Sequence, residues 1–228
     1  YHPDDMDQRT VEDMATEIIR DVTVGVRDTG IRSGIIGEVG INGDPLTPNE
    51  IKSIQASARA ARATGAAISL HYGGTGREKL EVMTTLGEEG ADLSRVIFGH
   101  SDPIAWDMPL MLELLGHGVY IQFDMLGMDV TPLYLQPNSY SQADTTGVAR
   151  TSQVVEAIPK LIEEGYGDRI LLSQDVCNKT HLKRYGGNGY SFILERVLPT
   201  LRRKGVPEEQ IKGLIVDNPR RVLTFVEP

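Results

Sequence analysis

A chain of 228 residues, 40% of them hydrophobic, can bury one large core, and its formal net charge of -9 excludes the basic stripe a nucleic-acid surface needs to neutralise phosphates. Its one cysteine, Cys177, excludes an intrachain disulfide framework, and no apolar run approaches the roughly 20 residues of a membrane-spanning helix. The expectation is one cytoplasmic domain with a small-molecule partner, no nucleic acid and no membrane; a homodimer stays open, as does an upstream segment, because the chain starts at Tyr1 rather than Met.

A first helix is expected from about Thr10 to Asp28, where Val11, Met14, Ile18, Ile19, Val22 and Val26 form one apolar stripe. Next comes Gly34-Ile-Ile-Gly-Glu-Val-Gly40, too short and too apolar for a surface helix, which reads as a buried strand. Alternation places Ile36 and Glu38 on one face and Ile35, Gly37 and Val39 on the other, aiming a carboxylate into a core. Such a carboxylate must be protonated, ion-paired or metal-bound. Thr47-Pro48-Asn49-Glu50 is a capping box with Pro at the first helical position, opening a helix through Thr64 that Gly65 closes.

The pattern then repeats. Strands are expected at Ala66 to Tyr72, Arg95 to Ser101, Val119 to Met125 and Arg169 to Asp175. Helices are expected at Arg77 to Glu89, Pro109 to Leu115, Thr151 to Glu164, Tyr190 to Lys204 and from Glu208 onward. Two polar loops, Gly127 to Val148 and Asn178 to Asn188, follow strands and read as functional.

Four metal-competent side chains therefore stand at strand ends: Glu38, His71, His100 and Asp175, spaced 33, 29 and 75 residues apart. A (β/α)8 barrel repeats every 31 or so residues, roughly, and gathers its site at the C-terminal ends of its strands, so this spacing favours a TIM barrel over an open doubly wound sheet. Only five strands are found and the chain opens with a helix. It is expected to be one partial TIM-barrel domain over 1-228, with the first three strands missing and an exposed inner rim.

Imidazole with carboxylate suits Zn, Mn, Fe or Co, and the matching chemistry is metal-assisted attack of water on a carbonyl or phosphoryl centre. Asp102 and Asp124 either orient His100 or cap a following turn. Lys179, His181, Lys183 and Arg184 are either a solvated loop or a reader of an anionic substrate group, with Tyr185 to Tyr190 shaping the wall. Tyr72, Lys179, Arg184 and Tyr185 are the substrate-binding candidates. Cys177 is expected to be an inert packed thiol, and His2 and His117 solvated loop residues.

Gly34-Ile-Ile-Gly-Glu-Val-Gly40, Leu70-His71, Phe98-Gly-His-Ser-Asp102, Gln122-Phe-Asp124, Ser173-Gln-Asp175 and Asn218-Pro219, in this order and spacing, resemble the phosphotriesterase family of the amidohydrolase superfamily. Lys179-Thr180 and Tyr185-Gly-Gly-Asn-Gly-Tyr190, with the glutamate of the first motif, are most similar to its phosphotriesterase-related, resiniferatoxin-binding-like branch. The resemblance implies two divalent metal ions, Zn first among them. Glu38 would bridge the ions, His71 and His100 would bind the second, and Asp175 would bind the first and act as the catalytic proton acceptor.

Three departures matter. Gly37 precedes Glu38 with no lysine nearby to serve as a carboxylated bridge; Met125 follows Asp124 where a relay histidine would stand; and the family's His-x-His pair is absent. Efficient organophosphate hydrolysis is therefore not expected, and the metal site is expected to be depleted in this chain. The leading reading is a hydrolase of a small ester, lactone or amide. The alternatives are a phosphate-sugar barrel enzyme, with Gly186-Gly187 cradling phosphate, and an inactive binding barrel.

Overall fold

The computed structural model describes residues 3–43, 45–72, 76–128 and 151–227. They fall into two compact units, Tyr1–Phe98 with Val222–Pro228, and Gly99–Arg221.

The first unit runs α1 (Val11–Thr23), β1 (Ile36–Ile41), α2 (Pro48–Thr64), β2 (Ile68–Tyr72), α3 (Glu78–Glu88) and β3 (Val96–Phe98). Strand β2 pairs in parallel with β1 on one side and β3 on the other. Ile36, Val39 and Ile41 of β1 bury with Ile54 and Ala58 of α2, Leu70 of β2 and Leu86 of α3. Both ends of α2 are set locally. Thr47 and Glu50 form the expected capping box, and the Glu50 carboxylate also accepts N–H groups from Asn42 at 2.5 Å and Gly43 at 2.9 Å. Gly65 ends the helix at φ 69°, packed so closely on the Val226 carbonyl that no side chain fits.

The second unit runs α4 (Met108–Gly116), β4 (Tyr120–Phe123), α5 (Thr151–Glu163), β5 (Ile170–Leu172), α6 (Leu198–Arg203) and α7 (Glu208–Lys212), ending in α8 (Asn218–Leu223), whose last two residues pass into the first unit. Strands β4 and β5 pair in parallel. Asn218 explains its place beside Pro219: its side-chain amide donates to the carbonyls of Gly167 and Ile170, 2.9 Å each, tying the start of α8 to the start of β5. With five parallel strands alternating with helices, the chain is α/β, as expected.

The expected elements are corrected at several points. Helix α1 stops at Thr23, not Asp28, because Gly25 takes φ 141° against Gly30, so Val26 lies beyond the apolar stripe. The region expected as helix 190–204 opens with a π-helical stretch, Ile193–Val197, and a second, Gly213–Asp217, follows α7. Each runs into a proline at the second residue of the next helix, Pro199 or Pro219, where the missing N–H interrupts the regular ladder.

The largest correction concerns Glu38. Ile36 pairs with Ile68 and Val39 with Leu70, so Gly37 and Glu38 together face Ser69 alone. That extra residue is a bulge, and it resets the alternation. Ile36 and Val39 both turn inward and Glu38 is exposed, so its carboxylate is not aimed into a core.

Candidate functional site

Strand β3 ends at Phe98, and two residues later His100 takes a left-handed backbone conformation at φ 46°. That conformation is strained for a residue with a side chain. What holds it is Asp124, one residue past β4. The Asp124 carboxylate accepts the His100 backbone N–H at 3.1 and 3.0 Å, lies 2.8 Å from His100 Nδ1, and takes a further hydrogen bond from Gln122 Nε2 at 2.7 Å. Both His100 and Asp124 are buried. Burial alone would raise the Asp124 pKa, but its bond to His100 and the imidazole charge offset this and hold it below the ordinary carboxylate value. When the imidazole is neutral, an ionised Asp124 keeps its one proton on Nδ1 and leaves the lone pair on Nε2, the tautomer a metal-binding histidine needs.

Asp102 stands behind this pair. It does not reach the His100 ring; its Oδ2 instead accepts the backbone N–H groups of Asp124 at 2.9 Å and Met125 at 3.2 Å. Burial first, and the Asp124 charge second, raise its pKa to about 7. Two neighbouring carboxylates are thereby pushed apart, one kept ionised and one holding its proton near neutrality.

Asp175 lies three residues past β5, also left-handed, at φ 41°. It is half-buried. Desolvation raises its pKa, opposed by the charge of His100 and reinforced by that of Asp124. Cys177 is exposed, which corrects its reading as a packed thiol; its sulfur lies 3.7 Å from Asp175 Oδ2 and 4.0 Å from His181 Nδ1. That histidine comes from the turn Lys179–His181.

The basic cluster divides. Lys183 pairs with Glu195 at 2.6 Å, whereas Lys179 and Arg184 both lie over the exposed Tyr185 ring, 5.7 and 5.9 Å from its centroid. Gly186-Gly187 makes a poor phosphate cradle. Gly187 packs against the carbonyl oxygens of Thr180 and His181, and these would repel an anion.

In the first unit His71 is a half-buried residue of β2 opposite Gly40, and Tyr72 closes β2 opposite Ile41. Glu38 sits on the exposed bulge. Lys79, at the start of α3, is fully buried with its ammonium 5.3 Å from the Phe98 ring centroid. Among the described residues no three His, Cys, Asp or Glu side chains gather closely enough to hold an ion by themselves. Of the loop 127–148, residues from 129 onward lie outside the described residues, as does His2; His117 is exposed, as expected. Gln122, the first residue of the Gln122-Phe-Asp124 motif, stands two residues before Asp124, which puts both on one face of an extended segment.

The model of the phosphotriesterase family matches residues 1–223. The chain belongs to the phosphotriesterase family. A relative from Dictyostelium discoideum, named N-acetyltaurine hydrolase, is 39% identical over 218 residues, covering 96% of this chain and 57% of the relative. Among solved structures, a resiniferatoxin-binding protein from Rhodobacter sphaeroides superposes with a TM-score of 0.87 at 37% identity, covering 97% of this chain and 59% of that one. A phosphotriesterase homology protein from Escherichia coli, complexed with phosphate in its active site, gives 0.83 at 29% identity, covering 98% and 71%. These likenesses fix the fold as that of the phosphotriesterase barrel, of which this chain carries five strands. This phosphotriesterase-family chain spans about three-fifths of the length of the curated relatives it matches. None of its described helices is long and apolar enough to cross a membrane.

Proposed function

We propose that the protein is a metal-dependent hydrolase of a small amide, with esters and lactones as neighbouring substrates. The observation that carries this reading is His100 held by Asp124 through both its backbone N–H and its Nδ1. A histidine needed only for packing has no reason to be fixed in one tautomer by a buried carboxylate that is itself clamped by Gln122. The donor set fits a divalent ion: His100 Nε2 and the Asp175 carboxylate, with Glu38 and His71 as the remaining proposed ligands, are the nitrogen and oxygen donors that suit Zn, Mn, Fe or Co. When bound, a pair of such ions would supply Lewis acidity and an acidified water.

The chain's own residues do the rest. Asp175, with a raised pKa, takes a proton at its carboxylate oxygen and can return it to the leaving nitrogen. Asp124 keeps the His100 ring from turning, and Asp102 holds the backbone that carries Asp124. Tyr72, Lys179, Arg184 and Tyr185 are the proposed substrate-binding residues. The relatives named N-acetyltaurine hydrolase favour an amide whose other end is anionic, and the two cations over Tyr185 are suited to such a group. The test is Asp124→Asn, which keeps the shape of the clamp and loses the charge that fixes the tautomer. Zinc affinity by competition with a chromophoric chelator should fall about 10- to 100-fold. Unchanged affinity in a folded variant would remove the basis of this reading.

A further inference from the structure

Between Gln174 and Tyr190 the chain leaves the C-terminal end of β5 and folds back, and the excursion is closed on itself. The Gly187 N–H donates to the Leu182 carbonyl at 3.1 Å and the Gly189 N–H to the His181 carbonyl at 2.8 Å. Across the root, the Gln174 side-chain amide donates to the Tyr190 carbonyl at 2.6 Å. A loop bonded to itself in this way shifts as one body. It carries Lys179 and Arg184 over the Tyr185 ring, on two short turns, Lys179–His181 and Lys183–Tyr185.

Asn188, half-buried, joins that body to the segment leaving β4: its side-chain amide donates to the Gly127 carbonyl at 2.5 Å. Gly127 has φ 88°, and a side chain there would meet the Phe192 ring at 2.7 Å, so glycine is what lets the two segments come this close. The Gly127 N–H donates to Thr151 Oγ1 at 2.9 Å. The hollow left in the seam, lined by Leu126, Gln174, Val176 and His181 among others, measures 10 Å³, room for one water at most and for no ligand. Gly127 stands three residues past Asp124, in a turn tied by the Met128 N–H to the Met125 carbonyl at 3.1 Å and by the Met125 N–H to Asp102 at 3.2 Å. A short run of hydrogen-bonded backbone thus connects the two cations to the Asp124 clamp on His100, and the Asn188 side chain links loop to turn.

We propose that Asn188 is a positioning residue for the amide hydrolysis of the preceding subsection, a reading on which this inference rests. It sets the distance between the cations that hold the substrate's anionic end and the His100–Asp124 pair at its reacting end. Placement matters because a shift of about 1 Å at a reacting centre costs on the order of a hundredfold in rate. The side chain suits the task, since an amide gives the Gly127 carbonyl a donor without adding a charge beside Lys179 and Arg184. A merely structural Asn188 would loosen the loop for every substrate alike, whereas a positioning Asn188 acts through the cations and matters for an anionic substrate.

The test is Asn188→Ala in metal-loaded protein, with N-acetyltaurine as the anionic amide and N-acetylethanolamine as the neutral one. KM for N-acetyltaurine should rise about tenfold, while KM for the neutral amide and kcat for both change less than about twofold. In a chain already carrying Lys179→Gln and Arg184→Gln, Asn188→Ala should raise KM for N-acetyltaurine less than about twofold further, because the residues act as one unit. Trypsin cleavage after Lys179 and Arg184, read without turnover, should quicken about fivefold in Asn188→Ala as the loop opens more often. Gly127→Ala, which forces the seam apart against the Phe192 ring and leaves Asn188 in place, should give the same pattern. Equal losses for the two amides, or a loss that persists in full without the cations, would overturn the positioning role. Unchanged trypsin cleavage would overturn the link itself. Wild-type protein that hydrolyses neither amide is a different result, which overturns the amide-hydrolase reading and this role with it.

Discussion

At the scale of single residues, the pair Asp102 and Asp124 makes stability depend on pH in a defined direction. Folding raises the Asp102 pKa from 3.8 to about 7, so the native state holds a proton that the unfolded chain has released. Between those values stability falls as pH rises, by roughly 1.4 kcal/mol per unit at most, and the loss is complete once pH passes the folded value. Asp124 works the other way, since its lowered pKa contributes stability that is lost as pH falls. Asp102→Asn keeps an acceptor for the N–H groups of Asp124 and Met125 but cannot ionise. Urea unfolding of chelator-treated protein at pH 5 and pH 8 should therefore show a smaller loss of stability in the variant than in the wild type. An identical loss would mean that Asp102 does not carry the proton.

Lys179 and Arg184 invite a second experiment at this scale. Both rest on Tyr185 and neither makes an ion pair among the described residues, in a chain whose net charge of -9 repels anions at long range. Replacing both with Gln should raise KM for an anionic amide about tenfold while changing KM for a neutral ester little. Equal changes for the two substrates would return these cations to the solvated surface.

At the scale of elements, the start of α2 does more than cap a helix. The Glu50 carboxylate gathers the N–H groups of Asn42, Gly43 and Thr47, so it also shapes the connection leaving β1. Burial opposes its ionisation, and these backbone bonds outweigh it, holding the pKa below the ordinary value. Thr47→Ala should cost about 1 kcal/mol, and Glu50→Gln about 1.5–3 kcal/mol, both measured by urea denaturation. If Glu50→Gln costs no more than Thr47→Ala, the contacts with Asn42 and Gly43 contribute nothing beyond the cap.

The same elements show what sequence can and cannot reveal. The capping box at Thr47 and the stop at Gly65 depend on neighbours within four residues, and they are legible. The end of α1 was legible as well, in Gly25, but the apolar Val26 just beyond it made the stripe look longer. The bulge at Gly37-Glu38 was not legible, because it depends on which β2 residue each β1 residue meets. Strict alternation therefore placed Glu38 in a core from which the register excludes it. The clamp on His100 joins residues 24 apart, and sequence could only leave Asp124 open between orienting His100 and capping a turn.

At the scale of the whole molecule, the match over residues 1–223 secures the family, and the proposed hydrolysis is tested through its dependence on a divalent ion. The most direct measurement is acetate release from N-acetyltaurine before chelation, after removal of divalent ions, and after adding back Zn, Mn or Co. The expected result is hydrolysis that disappears on chelation, returns with metal, and is lost by at least about a hundredfold in Asp175→Asn, a variant that leaves the His100–Asp124 pair in place. Hydrolysis that persists without metal, or that is undiminished in Asp175→Asn, would contradict a metal-dependent hydrolase built on these residues.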